Sequence, residues 1–138
     1  MALFGLSLVP LVGLVGAASD YNRAMAAGTE MQAAADATVL MLAHESSSTT
    51  DQLRQQAAGY FRKHYRRADV AVVELAASCG NDGASHIDIM AQGALDTHFM
   101  GLLGIDALTI HAKSSATRVG VNCTSPSLSA ASSLAPES

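Results

Sequence analysis

The sequence contains no tryptophan, and phenylalanine and tyrosine together make up only 4% of it. Surfaces that stack on bases or sugars are built from aromatic side chains, so this scarcity argues against both kinds of ligand. Basic residues are also few: eight Lys and Arg stand against twelve Asp and Glu, which gives a net charge of −4. That balance argues against nucleic acid as a partner.

Charge is absent from the first eighteen residues, and almost all of these residues are apolar. An apolar helix of roughly 20 residues is long enough to span a bilayer. Ala17, Ala18 and Ser19 could pass for the cleavage site of a signal peptide, but no basic residue precedes Arg23, and the positively charged start is missing. We therefore expect a retained apolar helix that lies in lipid or against other copies of the chain.

Helical character continues beyond this apolar stretch as far as residue 43. Between residues 20 and 43 polar residues recur about every seven positions among many alanines, which is helical periodicity. Alanine and glycine allow a neighbouring helix to approach closely, and Pro10 is expected to kink the helix. The sequence thus predicts one helix of about forty residues, far longer than the average helix of a globular protein.

The remainder of the chain predicts a small α+β domain. Thr49 and Gln52 fit a capping box, with Asp51 in the first turn of a second helix. Alternating apolar residues then predict strands at 70–75, 86–90 and 108–113, with a helical or looped crossover at 98–104 and a fourth, edge strand at 117–121. We divide the chain into an assembly helix (1–43), an α+β head (44–123) and a disordered-type Ser-rich tail (124–138).

The two cysteines, Cys79 and Cys123, allow two interpretations. In a chain with an exported appearance an even pair favours one disulfide. Closing a loop of that length would stabilise the fold by about 4 kcal/mol in the chain-entropy model. The alternative is a pair of unpaired, buried thiols.

Residues that could carry chemistry do not form a convincing pattern. The five histidines lack the spacing of a metal motif on one helix, and His86, Asp88 and His111 form a candidate metal set only by sharing one face of the predicted sheet. No Gly-x-Ser-x-Gly string is present. The basic run at 62–67 could contact anionic lipid or nucleic acid, but it better suits a solvated helix end or a salt-bridge partner between subunits. The sequence therefore predicts no enzymatic activity, no cofactor and no metal.

Several strings resemble the TadG-like family of the Tad (tight adherence) pilus system, a branch of the type IV pilin-like proteins. The similar segments cover most of residues 4–118. They include residues 4–10, 13–16 and 97–105, and the most recognisable is Met31-Gln32-Ala33-Ala34-Ala35-Asp36-Ala37.

This resemblance implies a small envelope or surface protein with a pilin-like fold. Our leading interpretation is a structural subunit of an extracellular filament, built by bundling of the N-terminal helices. The implied partners are further copies of the chain, inner-membrane lipid before assembly, and the pilus assembly machinery. The implied location is the surface of a bacterial cell. The alternative is a membrane-anchored accessory protein of the same machinery that does not polymerise. The predicted assembly residues are Phe4, Leu8, Pro10, Leu14, Tyr21, Met25, Met31, Ala34, Ala35 and Val39.

Overall fold

The computed structural model describes the backbone of residues 2–45, 50–68, 70–79 and 84–118, and the side chains of these residues other than 2–7, 50, 70–72 and 79. Over these ranges the chain forms a long helix, a shorter helix and a three-stranded antiparallel sheet. The predicted α+β class is confirmed. The part of the predicted fourth strand at 119–121 and the predicted Ser-rich tail lie outside the described residues.

The first helix, α1, runs over Ala2–His44 without interruption at Pro10. At 1.5 Å per residue its 43 residues span roughly 65 Å. The second half of α1 packs on the sheet through a stripe of small and apolar residues spaced three or four apart, as a buried helix face requires. That stripe consists of Ala24, Ala27, Met31, Ala34, Ala35, Val39 and Leu42.

The second helix, α2, covers Thr50–His64. It begins with Asp51 in its first turn and ends with Arg62, Lys63 and His64 in its last turn, so its charges complement the helix dipole at both ends. Its buried face is formed by Leu53, Ala57 and Phe61, and Tyr65, just beyond the helix, is buried as well. His64, the last residue of α2, is exposed.

The strands are β1 (Val70–Cys79), β2 (Ser85–Asp96) and β3 (Ala107–Arg118), in the order β1-β2-β3. All three extend beyond their predicted ranges, and Thr117, placed in a separate fourth strand by the sequence, belongs to β3. The inner face of the central strand carries Ile87, Ile89, Ala91 and Leu95, which pack against the helices.

The C-terminal end of β3 is tied to α1. There the buried Arg118 donates a hydrogen bond to the backbone carbonyl of Glu45, just beyond the last turn of α1. A cation suits this position because the free carbonyls of a helix C-terminus carry partial negative charge.

At its other end β3 is connected to β2 by residues 97–106, which contain a short 3-10 helix, η1 (Met100–Leu103). The predicted crossover at 98–104 is confirmed.

Over the side chains described, neither helix combines the length and apolar content that crossing a membrane requires. The predicted membrane-spanning role of α1 therefore stays a prediction.

Candidate functional site

The first half of α1 is an apolar rod that extends away from the sheet. We use the name rod for residues 8–15, whose large apolar side chains are all more than half exposed: Leu8, Val9, Leu11, Val12, Leu14 and Val15. At 100° per residue these positions and the exposed Pro10 are distributed around the whole helix. A helix whose whole circumference is apolar is normally buried on all sides, by protein or by lipid.

The loop at residues 97–106 lies against the base of the rod. Gly16 is buried beneath the ring of Phe99: a Cβ built on Gly16 would lie 2.4 Å from Cγ of Phe99. Only glycine permits so close an approach at this position. The ring then lines a shallow groove together with Val12, Val15 and Ser19.

One carboxylate holds this loop in place. Oδ2 of Asp20 accepts hydrogen bonds from three consecutive backbone N–H groups, those of His98 (3.0 Å), Phe99 (2.7 Å) and Met100 (2.9 Å). Arg23 lies 4.0 Å from the other carboxylate oxygen. Asp20 is buried, and its hydrogen bonds satisfy donors that would otherwise lack a partner where η1 begins. We call this arrangement the Asp20 clamp.

The clamp depends on the charge of the carboxylate. The N–H of Met100 contributes most to lowering the pKa of Asp20 below its ordinary value, and the N–H groups of Phe99 and His98 lower it further. Loss of solvent around the carboxylate opposes this effect without reversing it. Hydrogen bonds to the charged form of an acid favour that form, so Asp20 is ionised at neutral pH.

A second clamp joins α1 to the outer edge of β3, the edge that faces away from β2. The side-chain amide of Gln32 accepts a hydrogen bond from the backbone N–H of Lys113 (3.2 Å) and donates one to the carbonyl of the same residue (2.9 Å). It also donates to Oδ1 of Asp36, one turn further along α1, at 3.0 Å. The amide thus bonds the edge as a neighbouring strand would. We call this arrangement the Gln32 clamp.

An ion pair ties the segment after α2 to the same helix. The guanidinium of Arg67 donates two hydrogen bonds to the carboxylate of Glu30, at 2.7 and 3.1 Å. The hydrogen bond from Arg67 is the largest cause of the lowered pKa of Glu30. Part of the basic run at 62–67 therefore serves as a salt-bridge partner within the chain.

The predicted assembly residues divide into two groups. Leu8, Pro10, Leu14, Tyr21 and Met25 are exposed. The others with described side chains are buried against the sheet and α2 of their own chain: Met31, Ala34, Ala35 and Val39. The side chain of Phe4 lies outside the described residues.

The predicted disulfide is not tested by the structure. Cys79 is the last residue of β1, but its side chain, like the whole of Cys123, lies outside the described residues. The pairing stays a prediction.

The histidines of the sheet do not converge. Nδ1 of His86 lies 3.0 Å from the hydroxyl of Thr117, while Asp88 and His111 sit opposite Ser115 and Gln92 in other rows of the sheet. Within the described part of the chain, no three His, Cys, Asp or Glu side chains are placed to hold a metal ion.

The sequence interpretation missed Gly16, Asp20 and Phe99 as a connected group. Asp20 is separated from its three donors by 78–80 residues, and no periodicity links positions that far apart. One available signal was that Asp20 is the first charged residue after a long uncharged stretch. A lone charge at that point needs a partner if it is buried.

Comparison with protein-family models gives a match at the N-terminal end of the chain. Residues 1–43 match the family model described as "Putative Flp pilus-assembly TadE/G-like". Searches of curated proteins and of solved structures return no significant match. The matched residues coincide with α1 to within one residue at each end, and they include the rod, Asp20 and Gln32. The resemblance read from the sequence is thereby confirmed over residues 1–43, and the chain carries a TadE/G-like N-terminal segment of the Flp (Tad) pilus-assembly kind.

Proposed function

We propose that this protein is a structural, non-enzymatic subunit of a pilus-like filament at the bacterial cell surface. The rod is the observation that carries the proposal. Its six large apolar side chains have no cover in the described part of the chain apart from the groove at Phe99. Apolar surface left in water costs about 25 cal/mol per Å², so packing against the rods of neighbouring copies is strongly favoured.

The family match supports this proposal because it falls on the helix that presents the rod. We extend the TadE/G-like relationship from residues 1–43 to the whole chain as part of the proposal. In the assembled filament the rods lie at the centre. The sheet and α2 form the outer layer, where the exposed face of the sheet meets solvent or a neighbouring head. Before assembly the rod is covered by inner-membrane lipid.

A second function also fits the match of residues 1–43 to a pilus-assembly family model. In that case the protein is a membrane-associated accessory component of the Tad machinery that does not polymerise. Its rod then remains in lipid or on another component of the machinery.

Electron microscopy of material sheared from the cell surface separates the two functions. For a filament subunit we expect filaments whose main protein band is this chain, identified by mass spectrometry. For an accessory protein we expect the chain to stay with the membrane fraction. If sheared filaments lack the chain, it is not a main filament subunit.

Variants of exposed leucines on the same helix sharpen this test. Leu14→Arg places a charge in the rod, whereas Leu40→Arg makes the same change at an exposed position near the other end of α1. We expect Leu14→Arg to abolish filaments and Leu40→Arg to retain them. Equal filament yields from both variants would contradict assembly through the rod.

A further inference from the structure

The loop at residues 97–106 is a second apolar surface, and it is internally fixed. The N–H of Thr97 donates to the carbonyl of Asp106 (2.9 Å), and the N–H of Ile105 donates to the carbonyl of Met100 (3.0 Å). Gly104 ends η1 with a φ of 85°, a backbone conformation that residues with a Cβ rarely adopt. Together with the Asp20 clamp, these bonds give the loop a defined shape before any partner binds.

At the tip of this loop two leucines point into solvent. Leu102 is 85% exposed and Leu103 is 70% exposed, and they are flanked by the part-exposed Phe99 and Ile105. Fixing a short loop so that it presents leucines to water is unfavourable for an isolated protein. Ordered, exposed apolar side chains of this kind mark a contact with another molecule.

The loop and the rod share the same chemistry. Residues 8–19 contain no Asp, Glu, Lys or Arg, and neither do residues 97–105. A charged partner would therefore find no complementary charge on either surface. An uncharged apolar segment fits both of them, and the chain supplies such a segment in its own rod.

Each copy leaves a large apolar area uncovered. In the described part of the chain, ten large apolar side chains of the rod and the loop are each between 43% and 85% exposed. Together they present on the order of 1,000 Å², divided between the rod and the loop, whereas a standard stable interface takes roughly 800 Å² per partner. A monomer seldom leaves that much apolar surface in water, so contacts of both surfaces with several neighbouring copies are needed to cover it.

We propose that the loop tip, Leu102 and Leu103, is the docking site for the rod of a second copy of this chain. This inference rests on the proposed filament function and deepens it by assigning the surface that the rod meets. The rod is apolar all round, so it can contact the rods of some neighbours and the loop tip of another. The Asp20 clamp sets the angle between the two surfaces, since Asp20 belongs to the same helix as the rod.

Photo-crosslinking in filament-forming cells tests the contact. Leu102 is replaced by the photoreactive amino acid p-benzoylphenylalanine in the full chain, and cells are irradiated before the surface material is sheared. We expect a band at twice the monomer mass, with the crosslink mapped by mass spectrometry to residues 8–16. Replacement of Ser115, exposed on the outer face of the sheet, is the control, and it should give no crosslink to those residues.

The same replacement at Leu14 distinguishes the two proposals. Suppose that p-benzoylphenylalanine at position 14 crosslinks two copies, but that at position 102 gives no crosslink or gives one outside residues 8–16. The proposed docking site is then wrong, and the proposed filament function stands. If neither position joins copies, both proposals fail, and lipid is the cover of the rod.

Charged substitutions at the loop tip test the contact through the yield of filaments. Leu102→Asp combined with Leu103→Asp should lower the filament yield at least tenfold, whereas Gln55→Asp, at an exposed position on α2, should leave it unchanged. Circular dichroism of the purified double variant checks that the sheet is still formed. A normal filament yield from the double variant would overturn the proposal, and if that variant fails to fold, the crosslink from position 102 decides.

Discussion

Two positions one turn apart on α1, Gly16 and Asp20, hold the same loop by different means. Gly16 does so by lacking a side chain, which lets the ring of Phe99 lie on the helix backbone. Asp20 does so by carrying a charge that accepts three N–H groups in a row. Their effects are separable, because one depends on volume and the other on ionisation.

We expect Gly16→Ala to destabilise the fold by about 1–3 kcal/mol, as overpacking of a filled site commonly does. The new methyl group would overlap Phe99, which must move. Gly28→Ala is the matched control: it lies in the same helix with nothing within 4 Å of its added Cβ. That variant should gain about 0.5–1 kcal/mol from the lower backbone entropy of the unfolded chain. Urea denaturation measures both changes, and a shift of the same sign in the two variants would contradict the close contact.

The charge of Asp20 makes stability depend on pH. Its folded-state pKa lies below the unfolded value of about 3.9. The carboxylate therefore stabilises the fold fully above that pH, and this contribution is lost as the pH falls through the folded-state pKa. Asp20→Asn should lower the urea midpoint at pH 7 and flatten its decline between about pH 5 and pH 2. Glu30, whose pKa is also lowered, adds to the acid decline, so Glu30→Gln serves as the comparison. An Asp20→Asn variant with the pH profile of the wild type would exclude the clamp.

At the scale of elements, the string Met31-Gln32-Ala33-Ala34-Ala35-Asp36-Ala37 joins α1 to the sheet in two ways. Ala34 and Ala35 are buried and bring the helix backbone close to the sheet, while Ala33 between Gln32 and Ala34 is exposed. Gln32, positioned by Asp36, bonds the edge of β3. The two alanines are predicted from the sequence to contact other copies, and in the structure both are buried within the chain.

We accordingly expect Ala34→Phe and Ala35→Phe to destabilise folding, by about 1–3 kcal/mol or more, because the ring would separate α1 from the sheet. Ala33→Phe is the control in the adjacent, exposed position and should shift stability by no more than about 0.5 kcal/mol. Thermal denaturation of the three variants gives the comparison. If the first two match the third in stability and only filament yield falls, these alanines contact other copies instead.

The Gln32 clamp protects an edge strand. Gln32→Ala removes two hydrogen bonds to Lys113 and should cost about 1–2 kcal/mol in stability. Gln32→Glu can still accept from the N–H of Lys113 but cannot donate to its carbonyl, so we expect an intermediate loss. Hydrogen exchange of the Lys113 amide should speed up in the alanine variant relative to the wild type. Unchanged exchange there would show that the edge is protected by something other than Gln32.

Local patterns account for the elements, and distant contacts account for what the sequence could not predict. The length of α1, the start of α2 near Asp51 and the three strands follow from periodicity and capping residues within short windows. The strands were predicted too short, since small residues such as Ala94 and Ser115 give little alternation. The two clamps join residues about 80 positions apart. These hydrogen bonds form only when α1 packs against the sheet, so no short stretch of sequence predicts them.

At the scale of the whole molecule, α1 belongs to two structures at once. From Asp20 onward it is part of the core of the head, whereas residues 8–15 form the rod, which within the described part of the chain is covered only by Phe99. The division predicted from the sequence has the assembly helix end at residue 43. Burial of α1 against the head begins near residue 20, where the first charged residue enters the fold, so the second half of the predicted assembly helix also packs in the head.

Two truncated chains test this transition and isolate the clamp. A chain that begins at Ser19 loses the rod but keeps Asp20, and we expect it to be folded and monomeric by size-exclusion chromatography with light scattering. A chain that begins at Tyr21 differs only by Ser19 and Asp20, and its loop at 97–106 loses the acceptor for three N–H groups. We expect this second chain to unfold at a lower urea concentration and to show faster exchange of the amides of Phe99 and Met100. Neither chain should form filaments, because both lack residues 8–15. Filaments from the chain that begins at Ser19 would mean that assembly proceeds through the head, and the rod would then need another explanation.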